Sequence, residues 1–264
     1  MPPVVPGAAN AYYDSDRAVA EYLLFHYADD EILLPWPTGP RDALHFPQRC
    51  VSEGLVTELL PRESRALDAG CAVGRAAFEL SKVCHEVIGL DASSRFIEAA
   101  HHLKQHGRLP FRLLEQGTTE RTASASPPPG ARPERVRFEV GNALALNPAL
   151  GTFDLILAAN LLDRVPSPAD LVRHLASRLR PGGQLILTSP YTWLEEYTPS
   201  HAWLSGSHRS PLGQISDLLE PAGLRLHHRA DLPFLIREHA RKFQWSVAEL
   251  STWVRDPSAG TDQR

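Results

Sequence analysis

The chain has 264 residues, of which 43% are hydrophobic and 22% are charged, and its formal net charge at pH 7 is −4. This balance is typical of a globular protein and favours neither a nucleic-acid nor an anionic-membrane surface. Residues 1–16 lack the basic and apolar regions of a signal peptide, no apolar run is long enough to span a bilayer, and the three cysteines have neither disulfide nor metal spacing. We therefore expect a reduced, cytoplasmic setting.

The N-terminal part of the chain predicts helices. Residues 12–30, YYDSDRAVAEYLLFHYADD, have the pattern of a short amphipathic helix, with Asp14 or Ser15 as its cap. A Pro-rich loop follows over residues 31–48, and a second helix is predicted within residues 49–61.

Beyond this segment, predicted strands alternate with predicted helices, which indicates parallel βαβ units. The runs LILAA and LILT are apolar on both faces, as expected of strands that helices cover. The tail predicts two long strands around a turn, which pair antiparallel because no helix separates them. The strands are expected at 64–70, 85–91, 135–143, 153–160, 182–190 and within 223–256, and the helices at 74–83, 93–107 and 167–179, the last capped by Ser167.

Two stretches depart from this order. Residues 118–134, TTERTASASPPPGARPE, are rich in Pro, Ser and Ala and predict a mobile surface insertion. Residues 257–264 predict a disordered tail. The expected organisation is an N-terminal helical lid segment over 1–62 and a ligand-binding domain over 63–256.

The stretch LDAGCAVG places Asp68, Gly70 and Gly74 directly after the first predicted strand. Glycine lets the backbone turn tightly, and ligands of open parallel sheets bind beyond the carboxyl ends of the strands. The order D-x-G-x-A-x-G matches neither the dinucleotide fingerprint nor the phosphate loop. An acidic residue at the strand end suits a cationic or amino-bearing ligand better than a phosphate.

Polar residues also follow the next predicted strands. Asp91 ends the second strand, where a carboxylate can accept both hydroxyls of an adenosine ribose. Asn142 ends the third strand and can hydrogen-bond an adenine edge, and Asn160 ends the fourth. Four strand ends thus offer ligand-binding groups in order.

With these motifs the chain resembles the class I S-adenosylmethionine-dependent methyltransferases, through LDAGCAVG, VIGLD, GNA, FDLILAANLLDRV and RPGGQLILTSP. The resemblance implies an α/β, Rossmann-like fold with a mostly parallel seven-stranded sheet, a C-terminal antiparallel hairpin and an N-terminal helical lid. Ala72 replaces the usual middle glycine and Asn142 a common aspartate, and both replacements keep the size or the hydrogen-bonding that the site needs. The implied cofactor, S-adenosyl-L-methionine, would be bound by Arg49, Asp68, Gly70, Ala72, Gly74, Asp91, Ala92, Asn142, Ala143 and Asn160.

A narrower resemblance lies outside the common core, in YYDSDRAVAEYLLFHY, LTSPYTWLEEYTP and LIREHARKFQWSVAELSTWVR. These segments look like the methyltransferase module of ovothiol biosynthesis, which methylates the imidazole Nπ of 5-thiohistidine. The module is often fused to an iron-dependent sulfoxide synthase, so a transient contact with a separate synthase is a further expectation. The resemblance runs from about Tyr12 to Arg255 and implies a small amino-acid substrate.

This resemblance gives candidate roles to residues around the acceptor. Its ammonium would be bound by Glu195 or Glu196, its carboxylate by Arg164 or Arg237, and its ring would stack on Tyr191 or Trp193. Geometry rather than a strong base would select the ring nitrogen over the more nucleophilic sulfur. The remaining candidates are the ring-orienting catalytic residues Asn160 and Asp163 and the lid residues Tyr13 and Tyr27.

Other interpretations stay open. Each aromatic candidate could simply pack against its neighbours without contacting a substrate. The core motifs also fit a methyltransferase that acts on another small thiol or N-heterocycle. A third possibility is a non-catalytic, cofactor-binding partner of a sulfoxide synthase. The sequence has no basic stripe of the kind that binds nucleic acid. We interpret His101, His102 and His106 as solvated surface residues rather than as a metal site.

Overall fold

The computed structural model describes residues 12–206 and 209–258. The first part of the lid segment, residues 1–11, and residues 259–264 of the predicted tail lie outside this range. Among the described residues, no helix combines the length and the apolarity that crossing a membrane requires.

A single mixed sheet forms the centre of the molecule. Its strands are β1 (Arg65–Ala69), β2 (Glu86–Asp91), β5 (Val136–Val140), β6 (Phe153–Ala159), β7 (Leu179–Ser189), β8 (Leu224–His239) and β9 (Lys242–Arg255). They lie in the order β5–β2–β1–β6–β7–β9–β8. The first five are mutually parallel, and β9 is antiparallel to both neighbours, which confirms the predicted fold class.

Helices cover both faces of this sheet. Strand β6 is buried along nearly its whole length, with Leu155 and Leu157 in one apolar cluster and Ile156 and Ala158 in the other. This alternation is what the double-sided apolar run predicts. The helices are α1 (Asp16–Tyr27), α2 (Asp30–Leu33), α3 (Phe46–Gly54), α4 (Arg75–Leu80), α5 (Ser94–His106), α6 (Pro168–Ser177) and α7 (Pro211–Leu219).

Two predicted helix caps have different outcomes. Ser15 caps α1, because its side chain accepts a hydrogen bond from the Ala18 N–H at 3.1 Å. Ser167 occupies the N-cap position of α6 but makes no side-chain bond to the backbone. Its hydroxyl donates instead to the Asp170 carboxylate at 2.5 Å.

The prediction of a mobile insertion over residues 118–134 was wrong for its first half. Residues Thr119–Ala125 form β4, which pairs antiparallel with β3 (Leu109–Gln116) in a separate hairpin. The side chains of Ala123 and Ala125 are buried while their neighbours face outward. The small residues that resembled low complexity are therefore the inner face of a strand.

Gly74 is needed at the end of the turn after β1, because its φ is +87° and an added Cβ would lie 2.6 Å from the Phe138 ring. We expect Gly74→Ala to lower the free energy of unfolding by about 2–4 kcal/mol, the sum of a left-handed backbone cost and overpacking. The matched control is Gly107→Ala, where φ is +71° and no atom lies within 4 Å, so only the backbone cost of about 1 kcal/mol applies. Urea unfolding measures both, and equal losses would contradict the packing role.

Candidate active site

Backbone strain is concentrated at the carboxyl edge of the sheet. Three of the four described non-glycine residues with positive φ follow β1, β6 and β7: Ala72 at 46°, Asn160 at 50° and Tyr191 at 51°. Such conformations cost on the order of 1–3 kcal/mol each and persist where the surroundings enforce them. Because the strands are parallel, these residues meet at one edge, which marks that edge as the candidate site.

A side-chain oxygen accepts the N–H of each of these strained residues. Ala72 donates to Asp91 Oδ2 at 2.9 Å, and Tyr191 donates to Ser189 Oγ at 3.0 Å. Asn160 donates to Thr188 Oγ1 at 3.1 Å, and the Thr188 hydroxyl returns a bond to Asn160 Oδ1 at 3.0 Å. The strand-end loops are therefore held in shape by the protein itself, before any ligand is considered.

Asp68 is the buried acid of the cofactor side. Its side chain is only 1% exposed, and Oδ2 has no hydrogen-bond partner among the described residues. Burial, together with the nearby Asp91 carboxylate, raises the pKa of Asp68 to about 7. A ligand ammonium would satisfy this oxygen and stabilise its charge, so the residue fits the amino group of the predicted cofactor.

Asp91 joins the glycine turn to the start of α5. Besides the bond from Ala72, its Oδ1 accepts the Ser93 N–H at 2.9 Å. A carboxylate has about four acceptor positions, so Asp91 keeps acceptor capacity for a ribose hydroxyl. Burial raises the pKa of Asp91, and the bonds from backbone N–H groups act against that rise.

The predicted adenine side lies after β5. Asn142 Oδ1 accepts the Leu144 N–H at 2.9 Å and so caps a short turn, while its side-chain amide N–H₂ donates to no acceptor within the described part of the chain. Ala143 is buried and Ala92 is exposed. These placements are compatible with an adenine edge at Asn142, and the assignment stays a prediction.

Helix α1 is tied to both cofactor loops. At its C-terminal end, the Tyr27 hydroxyl donates to the Val73 carbonyl at 2.8 Å, and Arg75 donates to the His26 carbonyl at 3.1 Å. At the other end, the Ser93 hydroxyl contacts the Tyr13 carbonyl at 3.0 Å and Asp14 Oδ1 at 2.8 Å. The helix therefore closes over the turn after β1 and the turn after β2.

The acceptor side is built by the loops after β6 and β7. Asp163 is fully buried, and its Oδ2 accepts the Thr192 N–H at 2.9 Å and pairs with Arg164 at 3.0 Å. Burial raises the pKa of Asp163. The Arg164 guanidinium lies over the Tyr197 ring at 5.2 Å, and the Tyr197 ring is 6.0 Å from that of Tyr13. The lid segment, the loop after β6 and the loop after β7 thus meet at these three side chains.

The aromatic residues after β7 form a line of nearly parallel rings. Tyr191 and Trp193 are 6.3 Å apart, and Trp193 and Trp203 are 6.5 Å apart, with interplanar angles of 29° and 16°. The indole N–H of Trp193 is buried and has no acceptor among the described residues. In contrast, Glu195 and Glu196 are both exposed, and their predicted contact with an ammonium stays untested.

Two predicted arginines are occupied elsewhere in this structure. Arg49 donates to Glu53 Oε1 at 2.8 Å and to the Pro233 carbonyl at 3.0 Å. Arg237 is 1% exposed, donates to Glu115 Oε2 at 2.8 Å and also bonds the Ile32 carbonyl. These contacts join helices to the C-terminal hairpin, so ligand roles for both residues would require rearrangement.

Three neighbours of the site were not among the predicted site residues. Tyr197 belongs to the aromatic stretch SPYTWLEEYT, and this context could have indicated its place at the site. Tyr22 is a further aromatic residue of the lid helix, and its ring lies 4.7 Å from that of Phe96. Glu249 lies on β9, and its contact with Tyr191 spans 58 positions of the chain, which no local pattern indicates.

Comparison with known proteins identifies the family. A model described as "Methyltransferase domain" matches residues 43–229. The chain belongs to this family of methyltransferases, and the predicted S-adenosylmethionine dependence is confirmed.

Individual relatives are distant and have different names. The ubiquinone biosynthesis O-methyltransferase of Xanthomonas axonopodis pv. citri (strain 306) is 24% identical over 153 residues, which cover 57% of this chain and 53% of that protein. The tRNA U34 carboxymethyltransferase of Cellvibrio japonicus (strain Ueda107) is 28% identical over 167 residues, covering 60% and 44%. The chain thus spans about half the length of the curated relatives it matches.

A solved structure supports the fold. Magnesium protoporphyrin IX methyltransferase of Synechocystis PCC 6803, solved with bound SAH, superposes with a TM-score of 0.54 at 16% identity. The alignment covers 93% of this chain and 97% of that chain. At this identity the similarity shows the shared architecture and not a shared acceptor.

The raised pKa of Asp68, about 7, makes cofactor binding pH-dependent. The ligand ammonium stabilises the ionised carboxylate, so binding below that pKa must release a proton. We expect S-adenosylhomocysteine affinity to rise by up to roughly tenfold per pH unit below pH ~7 and to level off above it. Calorimetry in two buffers of different ionisation enthalpy measures the released proton.

Asp68→Asn is the control for this linkage, because the amide cannot titrate. It should bind more weakly and release no proton. An affinity that stays flat between pH 6 and 8 in the unmodified protein, with no proton release, would contradict the assignment of Asp68 to the ligand ammonium.

Proposed function

We propose that this methyltransferase methylates the imidazole Nπ of 5-thiohistidine, with ovothiol A as the product. The narrower sequence resemblance suggests this acceptor, and the residues of the loops after β6 and after β7 support it by their chemistry. Beside one another they present a guanidinium, a buried carboxylate and stacked aromatic rings. These groups suit the carboxylate, the N–H donors and the flat ring of an amino acid with a heterocyclic side chain.

The observation that carries the proposal is a pair of unsatisfied polar groups on the acceptor side. Asp163 Oδ1 and the Trp193 indole N–H are both buried without a partner among the described residues. An unpaired buried polar group costs about 1–3 kcal/mol. A zwitterionic substrate can remove both costs, because it carries N–H donors and anionic acceptors in one molecule.

Arg164 is better placed than Arg237 to hold the substrate carboxylate. Its Nη1 donates to the carbonyls of Asp163 and Thr192 at 2.9 and 3.0 Å. Its Nε and Nη2 bond no carbonyl or carboxylate of residues 12–206 and 209–258, and the Tyr13 side chain is the lid group beside it. A guanidinium held through Nη1 by the main chain, with a neutral phenol as its lid-side partner, can exchange that phenol for a forked bond to a carboxylate.

The residues of the site need only to position the acceptor. When bound, S-adenosylmethionine supplies a methyl group on a positively charged sulfur. The neutral imidazole nitrogen has an in-plane lone pair, so the chain does not need a strong base. Asp163 can accept a hydrogen bond from the ring N–H or the ammonium, and Asn160 is held by Thr188. Placing the nitrogen about 3–3.5 Å from the methyl, and the sulfur farther away, decides the product.

Product analysis tests the proposed function. The purified protein is incubated with S-adenosylmethionine and either 5-thiohistidine or histidine, and the products are identified by mass and NMR. Methylation at Nπ of thiohistidine alone is the expected result. Methylation at sulfur, equal use of histidine, or no transfer despite cofactor binding would each contradict the proposed acceptor.

Arg164→Ala should raise the KM for the acceptor by about 10- to 100-fold, the equivalent of a hydrogen bond to a charged group. The affinity for S-adenosylhomocysteine should change by less than about twofold, because no cofactor contact is lost. Arg164→Lys keeps the charge but not the forked geometry, so its KM for the acceptor should lie between those of the unmodified protein and Arg164→Ala. Steady-state kinetics and calorimetry give these values.

Arg237→Ala is the contrasting variant. It removes a buried guanidinium that pairs with Glu115, while Arg121 still pairs with that acid at 3.1 Å, so it should lower the free energy of unfolding by about 1–3 kcal/mol. At a temperature where it is folded, its KM for the acceptor should match that of the unmodified protein. A large KM effect at Arg237 and none at Arg164 would reverse the assignment.

A further inference from the structure

Glu249 is a partly buried acid at the acceptor edge for which the sequence predicted no role. It lies on β9 opposite Ser189, the last residue of β7, and opposite Asp231 of β8. Its side chain is 13% exposed. The C-terminal hairpin therefore places a carboxylate beside the start of the loop that carries Tyr191.

Both oxygens of Glu249 are used. Oε2 accepts the Tyr191 hydroxyl at 2.8 Å, and Oε1 accepts Arg229 Nε at 2.6 Å. Burial first, and then Glu249, raise the pKa of Tyr191, so its phenol is a protonated donor at neutral pH. The ion pair with Arg229 holds the Glu249 carboxylate in place beside this hydroxyl.

Tyr191 is consequently fixed at both ends. Its backbone is held in the left-handed conformation by Ser189, and its carbonyl accepts the Trp193 N–H at 3.0 Å. Its ring is held by Glu249 from a strand that is remote in sequence. Neither the backbone nor the phenol can then shift without breaking a hydrogen bond.

We propose that Glu249 is a positioning residue for methyl transfer, which acts by fixing the Tyr191 ring against the acceptor. This inference rests on the proposed function in one respect, namely that Tyr191 contacts the acceptor. Nitrogen and sulfur of thiohistidine are two nucleophiles on one ring, so a rotation of the ring decides which of them faces the methyl group, and a misplacement of about 1 Å can cost about 100-fold in rate. The hairpin thereby helps to select the ring nitrogen.

Kinetics of matched variants test the proposal. Glu249→Ala should lower kcat with the acceptor by about tenfold, change the KM less, and increase the fraction of S-methylated product. Glu249→Gln, which can still accept the Tyr191 hydroxyl, should stay within about threefold of the unmodified protein. Affinity for S-adenosylhomocysteine should be unchanged in both.

Two further variants show whether Glu249 acts through Tyr191. Tyr191→Phe should resemble Glu249→Ala, and the double variant should be no worse than either single one. Asp231→Ala is the control, because it removes an exposed carboxylate directly opposite Glu249 on the neighbouring strand. Additive losses, or an equal loss of cofactor affinity, would overturn the proposal.

Amide hydrogen exchange separates this proposal from the proposed function. In the cofactor-bound protein without acceptor, Glu249→Ala should speed exchange at Trp193, Tyr197 and Thr198, and Asp231→Ala should not. Equal exchange in the two variants would overturn the positioning role. Absence of transfer to thiohistidine by the unmodified protein would instead overturn only the proposed acceptor.

Discussion

The site depends on a backbone constraint at the carboxyl edge of the sheet, where side chains hold three residues in left-handed conformations. Each conformation costs about 1–2 kcal/mol, and each hydrogen bond that holds it returns about 0.5–1.5 kcal/mol, or more for the charged Asp91. Because the two terms are of similar size, the loops keep their shape without a ligand. The cofactor turn and the acceptor loops are thus preorganised together.

The lid connects these two halves of the site. Helix α1 bonds to the turn after β1 through Tyr27, and the residues just before it, Tyr13 and Asp14, bond to the turn after β2. The Tyr13 ring also lies beside Tyr197 of the acceptor loop. If this segment acts as the predicted lid, opening it for one ligand would break contacts that shape the pocket of the other. This arrangement would couple cofactor exchange to acceptor binding and would exclude water during transfer.

The sequence predicted the central sheet well, because its strand patterns are local, and parallel strands bring strand-end motifs such as LDAGCAVG to one edge. It missed β4, where Ala123 and Ala125 are too small to give an apolar signal. The sequence also presented Arg237 and Arg164 as equal candidates for binding the substrate carboxylate. The pairing of Arg237 with Glu115 spans 122 positions and that of Tyr191 with Glu249 spans 58, and such contacts follow from tertiary packing rather than from local pattern.

A crystal structure with S-adenosylhomocysteine and 5-thiohistidine would test most directly whether one closed edge holds both ligands. We expect the acceptor carboxylate on Arg164, its ring beside Tyr191, and α1 still bonded to Val73 and Ser93. The account would be contradicted by an acceptor bound away from the ends of β6 and β7. A carboxylate seated on Arg237, with the Glu115 pair broken, would equally contradict it.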